Sequence, residues 1–312
     1  MPTEPLLVRL DDLGMIRVHG ADTIPFLQGQ LSNDLTRLAP EHALLAGYHN
    51  PQGRTIAVMR LLWLGAQDVI AVLPRELAST VAARLAKFVL RAKVKIADES
   101  TAWRAFGVID AETAADALAS MGAPAATPHA LVGKARWLIV LPADSPVGAL
   151  LNGDPREWHR LDVASAQAQV FAATSEEFVA QMLNLDALDA VSFEKGCYTG
   201  QEVIARAHYR GRVKRRLQRF VTRAPQTLAP GDSGKLSDGR PFKVVDAVQL
   251  DDGRCEFLAV AETGSAEAPP APPAPPAPRA PLAPPAPPAP SAPSDTATLE
   301  ADSLPLPYML PE

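Results

Sequence analysis

The sequence predicts an α+β protein in which two mixed α/β units precede a small C-terminal β-barrel. Three observations predict it. Helix-spaced and strand-like apolar segments alternate through the first two thirds, only short strand-like runs and turns follow from Arg216 onward, and 312 residues suffice for two or three domains. With 47% apolar, 21% charged and only 5% aromatic residues, alanine, leucine and valine must supply most of the packing.

In chain order, Asp22 is a candidate helix cap ahead of Ile24, Phe26, Leu27 and Leu31. Residues 43–48, 54–64 and 69–73 read as strands separated by NPQG and GAQD turns. Leu77, Val81, Leu85 and Phe88 fall at helical spacing, and the alternating stretch RAKVKI follows. A second mixed unit begins near Trp103 with a strand WRAFGVI, a helix through DAETAADALASM and a strand RWLIVL. Asp154 and Pro155 announce another helix, with Trp158 in its first turn. The turns PGDSG, SDGRP and DDGR then punctuate the predicted barrel. The expected units are 1–100, 101–200 and 201–312, the second interleaved with the first and ending in the loop KGCYTGQE.

Residues 266–293 hold 14 of the 31 prolines, a composition that favours extended, solvated chain without groups to bury. After it Leu304, Leu306, Tyr308 and Leu310 alternate, as in an edge strand that tolerates proline. The expectation is a disordered insertion at about 266–296 between two barrel strands, with a plain disordered tail as the alternative.

A formal charge of −5 gives no global reason for nucleic-acid or membrane binding. The acidic start MPTEPLLVRLDDLG lacks the basic and apolar regions of a secretory signal, and no run approaches the ~20 apolar residues of a membrane span. A cytoplasmic monomer with no membrane partner is expected. Two cysteines, Cys197 and Cys255, cannot complete the usual four-cysteine ligation of an iron–sulfur cluster, and no tightly bound metal is expected.

The most informative segment is FEKGCYTGQE, Phe193 to Glu202. Cys197 follows Gly196, which permits close backbone approach, and lies two positions after Lys195, whose charge would favour a thiolate. A small apolar cysteine in a turn is the plainer alternative. Gly200, Gln201 and Glu202 would orient a heteroaromatic ring or simply close a turn. Downstream, Arg206, His208, Arg210, Arg212, Lys214 and Arg216 occupy every even position, so an extended chain would place them on one face. Unbroken positive charge suits an anionic partner such as a polycarboxylate or RNA phosphates; a solvated face is the alternative, and Gly211 would split it by turning the chain.

The pattern Lys195-Gly196-Cys197-Tyr198-x-Gly200-Gln201-Glu202 resembles that of the YgfZ family of folate-binding proteins, relatives of the glycine cleavage system T protein. PFLQGQLSNDL at 25–35 and MLNLDALDAVSF at 182–193 are similar to further segments of that family, and LPLPY to its last barrel strand. The resemblance implies three units around a central channel holding tetrahydrofolate or a derivative. It also implies a role in assembling or maintaining iron–sulfur proteins, including tRNA methylthiolation enzymes, with iron–sulfur enzymes or assembly factors as partners and a tRNA contact. It makes Cys197 the candidate reactive thiol, and Lys195, Gly196, Tyr198, Gly200, Gln201 and Glu202 candidate folate contacts. Trp158 matches a folate-associated tryptophan, with core packing as the alternative. Arg206, Arg210, Arg212, Lys214 and Arg216 are the anion-binding candidates. Leu13 stands where a relative can carry a second tryptophan. The T protein's catalytic aspartate has no counterpart in Gln52-Gly53-Arg54-Thr55-Ile56-Ala57, which argues against aminomethyl transfer.

Overall fold

A computed structural model of the chain describes residues 4–40, 42–125, 127–147, 150–211, 213–263 and 298–311. Its first two strands, β1 (Leu6–Arg9) and β2 (Leu13–His19), are close in sequence yet enter different sheets. The helix α1 (Thr23–Gln28), strands β3 (Leu44–His49), β4 (Thr55–Gly65) and β5 (Asp68–Pro74), helix α2 (Arg75–Ala86) and strand β6 (Lys95–Asp98) follow. They build an antiparallel sheet of order β3-β4-β5-β2-β6. The strand β7 (Trp103–Ile109), helix α3 (Ala114–Ser120), and strands β8 (His129–Gly133) and β9 (Arg136–Pro142) join β1 in a second sheet of order β1-β7-β9-β8.

Alternation along the strands explains how the two sheets stack. Met15, Ile70 and Val72 face Val8, Ala105, Leu138 and Val140 of the second sheet in one core. Their neighbours Ile16, Val69, Ala71 and Leu73 face the opposite way, under α1, α2 and the 166–191 segment. Both faces of the first sheet are therefore covered, which is why β4 reads as a nearly continuous buried run. The far side of the second sheet packs Phe106, Val108 and Ile139 against Ala117, Leu118 and Met121 at α3.

After α4 (Pro155–Ala164) and α5 (Gln201–Arg210) come β10 (Arg215–Thr222), β11 (Ser233–Leu236), β12 (Pro241–Gln249), β13 (Cys255–Glu262), β14 (Thr298–Leu299) and β15 (Ala301–Leu304). Their order is β14-β11-β12-β13-β10-β15. The two sheet edges, β14 and β15, are one chain segment broken only at Glu300, so the sheet curls into a nearly closed barrel. Phe220, Phe242, Phe257 and Cys255 fill it, while Leu217, Val245, Leu258 and Val260 face outward into the main core.

Several local expectations are corrected. Asp22 stands at the N-terminus of α1 without a side-chain cap bond, because its carboxylate accepts from the Lys93 backbone N–H at 2.6 Å. The last strand lies earlier than the Leu304–Leu310 alternation suggests. Prolines at 305 and 307 end the ladder, and Leu306 and Tyr308 instead pack on the main core. Arg206 to Arg210 of the basic run belong to the helix Gln201–Arg210, so the extended face considered for 206–216 does not form there, and only Arg215 and Arg216 enter a strand. Strands β1, β2 and β8 were not legible from the pattern. The proline-rich insertion expected at about 266–296 lies outside the described residues; strands β13 and β15 on its two sides both pair with β10. Among the described residues no helix is long and apolar enough to cross a membrane.

Candidate functional site around the KGCYTGQE loop

Three distant segments meet at the KGCYTGQE loop. The ammonium of Lys195 donates to the carbonyls of Gln28 and Leu31 at 2.7 Å and of Asn33 at 2.8 Å, so it satisfies the turn that follows α1. The Ser32 hydroxyl donates to Ala190 O at 2.6 Å and accepts from Gly47 N, while Asn33 donates to Asp189 O and Leu45 O. Residues 25–35 and 182–193 are thereby tied to each other and, through Lys195, to the loop. Burial lowers the Lys195 pKa to about 8, which leaves it a cation at neutral pH, as three carbonyl acceptors require. Its charge is committed inward to those carbonyls, in contrast to the expectation that it serves the neighbouring thiol.

The other end of the loop docks on the turn between β3 and β4. Gly200 has φ +82°, and a Cβ there would lie 2.6 Å from Asn50 O. Gly53, at φ +71°, is pressed against Val203 in the same way. Only glycine admits this approach at both positions. Gly200 also starts α5, where Gln201 N donates to Tyr198 O. Glu202 in the first turn suits the helix dipole and pairs with Arg206 at 2.9 Å.

Between these two anchors Gly196 and Cys197 are exposed, and no atom lies within 4 Å of where a Gly196 Cβ would stand. Tyr198 turns inward instead, its ring 5.2 Å from the Lys195 ammonium and 6.3 Å from the His49 ring. Burial raises the Tyr198 pKa well above the usual phenol range and lowers that of His49 to about 3. Among the described residues the Tyr198 hydroxyl, both His49 ring nitrogens, Thr55 Oγ1 and Gln30 Oε1 are buried without hydrogen-bond partners. His49 and Thr55 are cross-strand partners. Sequence reading missed His49 and Thr55: the NPQG turn was visible, but nothing local shows that a loop some 150 residues away covers it.

Other expected site residues lie elsewhere. Trp158 is buried on α4 in the core between the two sheets, pressed close to Gly107, with the Arg136 guanidinium 4.7 Å from its ring centroid. Tyr198 belongs to a different cluster. The helical course of residues 201–210 scatters the basic run over a cylinder instead of one strand face. Arg206, Arg210 and Lys214 are exposed. Arg216 is buried and grips Asp186 with two bonds of 2.9 and 3.0 Å, while also donating to Gln181 O. Arg212 lies outside the described residues. On α5, His208 stacks on Phe193 with centroids 3.7 Å apart, and Tyr209 meets both rings edge-on. Among the described residues no cluster of three or more His, Cys, Asp or Glu side chains is arranged to hold a metal ion.

No protein-family model matches the chain. It is 32% identical over 279 residues to the tRNA-modifying protein YgfZ of Pectobacterium carotovorum subsp. carotovorum, covering 82% of this chain and 83% of that one. It is 30% identical over 277 residues to the protein of the same name from Yersinia pseudotuberculosis, covering 81% and 83%. Its fold matches the glycine cleavage system aminomethyltransferase T of Bartonella henselae with a TM-score of 0.66 at 15% identity, over 83% of this chain and 79% of that one.

Proposed function

The chain belongs to the YgfZ family, and on that premise we propose that it binds a reduced folate beneath the KGCYTGQE loop and supports the assembly or maintenance of iron–sulfur proteins, tRNA methylthiolation enzymes among them. The observation that carries this reading is the pair of side chains under a loop that presents a free thiol: the Tyr198 hydroxyl and both His49 ring nitrogens are buried without partners among the described residues, with the two rings 6.3 Å apart. A pterin offers an edge of mixed donors and acceptors. The Tyr198 phenol and the His49 imidazole are complementary types, and among the described residues they lack partners of their own. Reaching these sealed atoms requires the segment between Gly196 and Gly200 to lift. Lys195 stays as its anchor, and Cys197 remains at the rim for transfer, redox or client contact.

The T-protein fold alone does not supply T-protein chemistry. Residues 52–57 contain no carboxylate, and Thr55, Ile56 and Ala57 are buried in β4. A positioned acid or base contributes roughly 100- to 10,000-fold, so this chain is expected to be an accessory protein. Purified protein given aminomethylated carrier protein and tetrahydrofolate is expected to release no methylenetetrahydrofolate; robust turnover overturns the reading.

One observation favours an additional RNA contact. The stacked Phe193–His208 pair, the exposed Tyr209 and the flanking Arg206, Arg210 and Lys214 combine aromatic faces with positive charge, the composition that engages unpaired bases and phosphates. Titration with tRNA at several salt concentrations tests it. Affinity falling steeply with salt supports the contact, and absent or salt-independent binding removes it.

A further inference from the structure

Helix α4 packs against β1, β12 and β13, and its Trp158 and Asp162 reach the first sheet at Met15, Val72 and Arg60. Its His159 reaches across to the barrel, where Nε2 is 2.8 Å from Asp246 Oδ1. Asp246 is placed by a bulge in β12 between Val244 and Asp246, and is 1% exposed. Its Oδ1 also accepts from Ala247 N, and its Oδ2 has no partner among the described residues. We propose that His159 and Asp246 form a pH-sensitive clasp between the barrel and the two stacked sheets, closed while the imidazole carries a proton and loosened when the proton leaves.

The charges facing His159 decide this assignment. Asp162, on the same helix, is compensated by Arg136 at 3.0 Å and Arg60 at 3.4 Å. Asp12, from the turn between β1 and β2, has its pKa raised chiefly by burial, which favours its neutral form. Glu256 of β13 is held by Arg219 at 2.6 Å, Glu157 of α4 by Arg160, and Arg9 of β1 by Asp11. Of these carboxylates Asp246 alone is hydrogen-bonded to the imidazole, its one ion-pair partner among the described residues, while Asp12 feels the same charge at longer range. Burial disfavours a charged His159, but the hydrogen bond and charge of Asp246, joined by the charges of Asp162 and Asp12, outweigh it and leave the pKa raised above 6.5.

The direction of the effect follows from linkage. A raised folded-state pKa gives stabilisation that is complete below the unfolded value of 6.5 and is lost as pH rises through the folded value. Above it a neutral imidazole still donates one hydrogen bond, yet the buried carboxylate loses its cation. The His159 side chain is 39% exposed, so the imidazole is reachable from solvent. A cavity of about 30 Å³ lined by Asp12, His159, Asp162 and Asp246 leaves room for water to reach the pair. The device does not depend on what the KGCYTGQE loop binds.

Histidine NMR titration of the full chain, combined with hydrogen exchange of residues 241–249 corrected for intrinsic rates, tests the clasp. His159 is expected to titrate above 6.5, and protection of β12 relative to β4 is expected to fall across that titration, up to about tenfold per unit of elevation. In Asp246→Asn the His159 pKa is expected to drop, and in His159→Gln the protection of β12 is expected to lose this pH dependence. The second variant stands in if the first fails to fold. Titration of His159 at or below 6.5, or β12 protection unchanged across its titration in the wild-type chain, overturns the proposal.

Discussion

The Lys195 ammonium and the Leu31 carbonyl, 164 positions apart in sequence, lie 2.7 Å from each other. With the parallel bonds to Gln28 and Asn33, this contact fixes one end of the loop that carries Cys197. Removing the ammonium strands three carbonyls, each costing on the order of 1 kcal/mol or more when buried and unpaired. Lys195→Met is therefore expected to lose about 3 kcal/mol in urea unfolding. A loss below about 0.5 kcal/mol, the range of an ordinary surface substitution, contradicts the anchoring role.

Cys197 and Cys255 are expected to respond oppositely to serine substitution. Cys197 is exposed, so Cys197→Ser should change stability by less than about 0.5 kcal/mol while abolishing function in a cellular complementation assay. Cys255 is buried beside Phe220 and Phe257, and a hydroxyl there should cost about 1–3 kcal/mol. Melting temperatures of both variants, set beside complementation, check the pair of outcomes. Loss of the fold in Cys197→Ser makes that thiol structural.

His49 makes stability depend on acid pH. Its folded-state pKa of about 3 lies below the ordinary 6.5, so the unfolded chain binds the proton more readily. The stabilisation is complete above 6.5 and is lost as pH falls toward 3, at up to about 1.4 kcal/mol per unit, or about 2 kcal/mol between pH 6.5 and 5. Urea midpoints of the wild type and His49→Phe over that range measure it. The variant is expected to show a flatter profile, and identical slopes contradict the burial of a neutral imidazole.

Arg216 and Arg206 separate a structural cation from a surface one. Arg216→Ala leaves Asp186 buried and unpaired, which should cost about 3–5 kcal/mol, whereas Arg206→Ala breaks an exposed pair with Glu202 and should cost under about 0.5 kcal/mol. Equal costs in denaturant unfolding contradict this division.

The same pair shows where sequence reading succeeds and where it stops. WRAFGVI and RWLIVL were legible as strands because β-branched and aromatic residues crowd between turn signals. RAHYRGRVKR suits one extended face because charge at every second residue satisfies a period of two, unless Gly211 turns the chain. Glu202, Arg206 and Arg210 also recur every four residues, and Gly200 and Gly211 bound them, which is the helical signature that the structure realises. Strand β2, buried on both faces, lacks the alternation that would announce it. The motif itself was legible in one dimension. Its docking on His49 and Gly53 was not, since no local pattern encodes which distant turn a loop will cover.

The central claim is that the loop and the orphaned atoms beneath it constitute a folate site, and calorimetric titration with 5-formyltetrahydrofolate under nitrogen tests it most directly. The account predicts saturable binding at one site per chain in the wild type and weaker binding in Tyr198→Phe with the fold preserved. Absence of saturable binding in the correctly folded wild-type chain contradicts it.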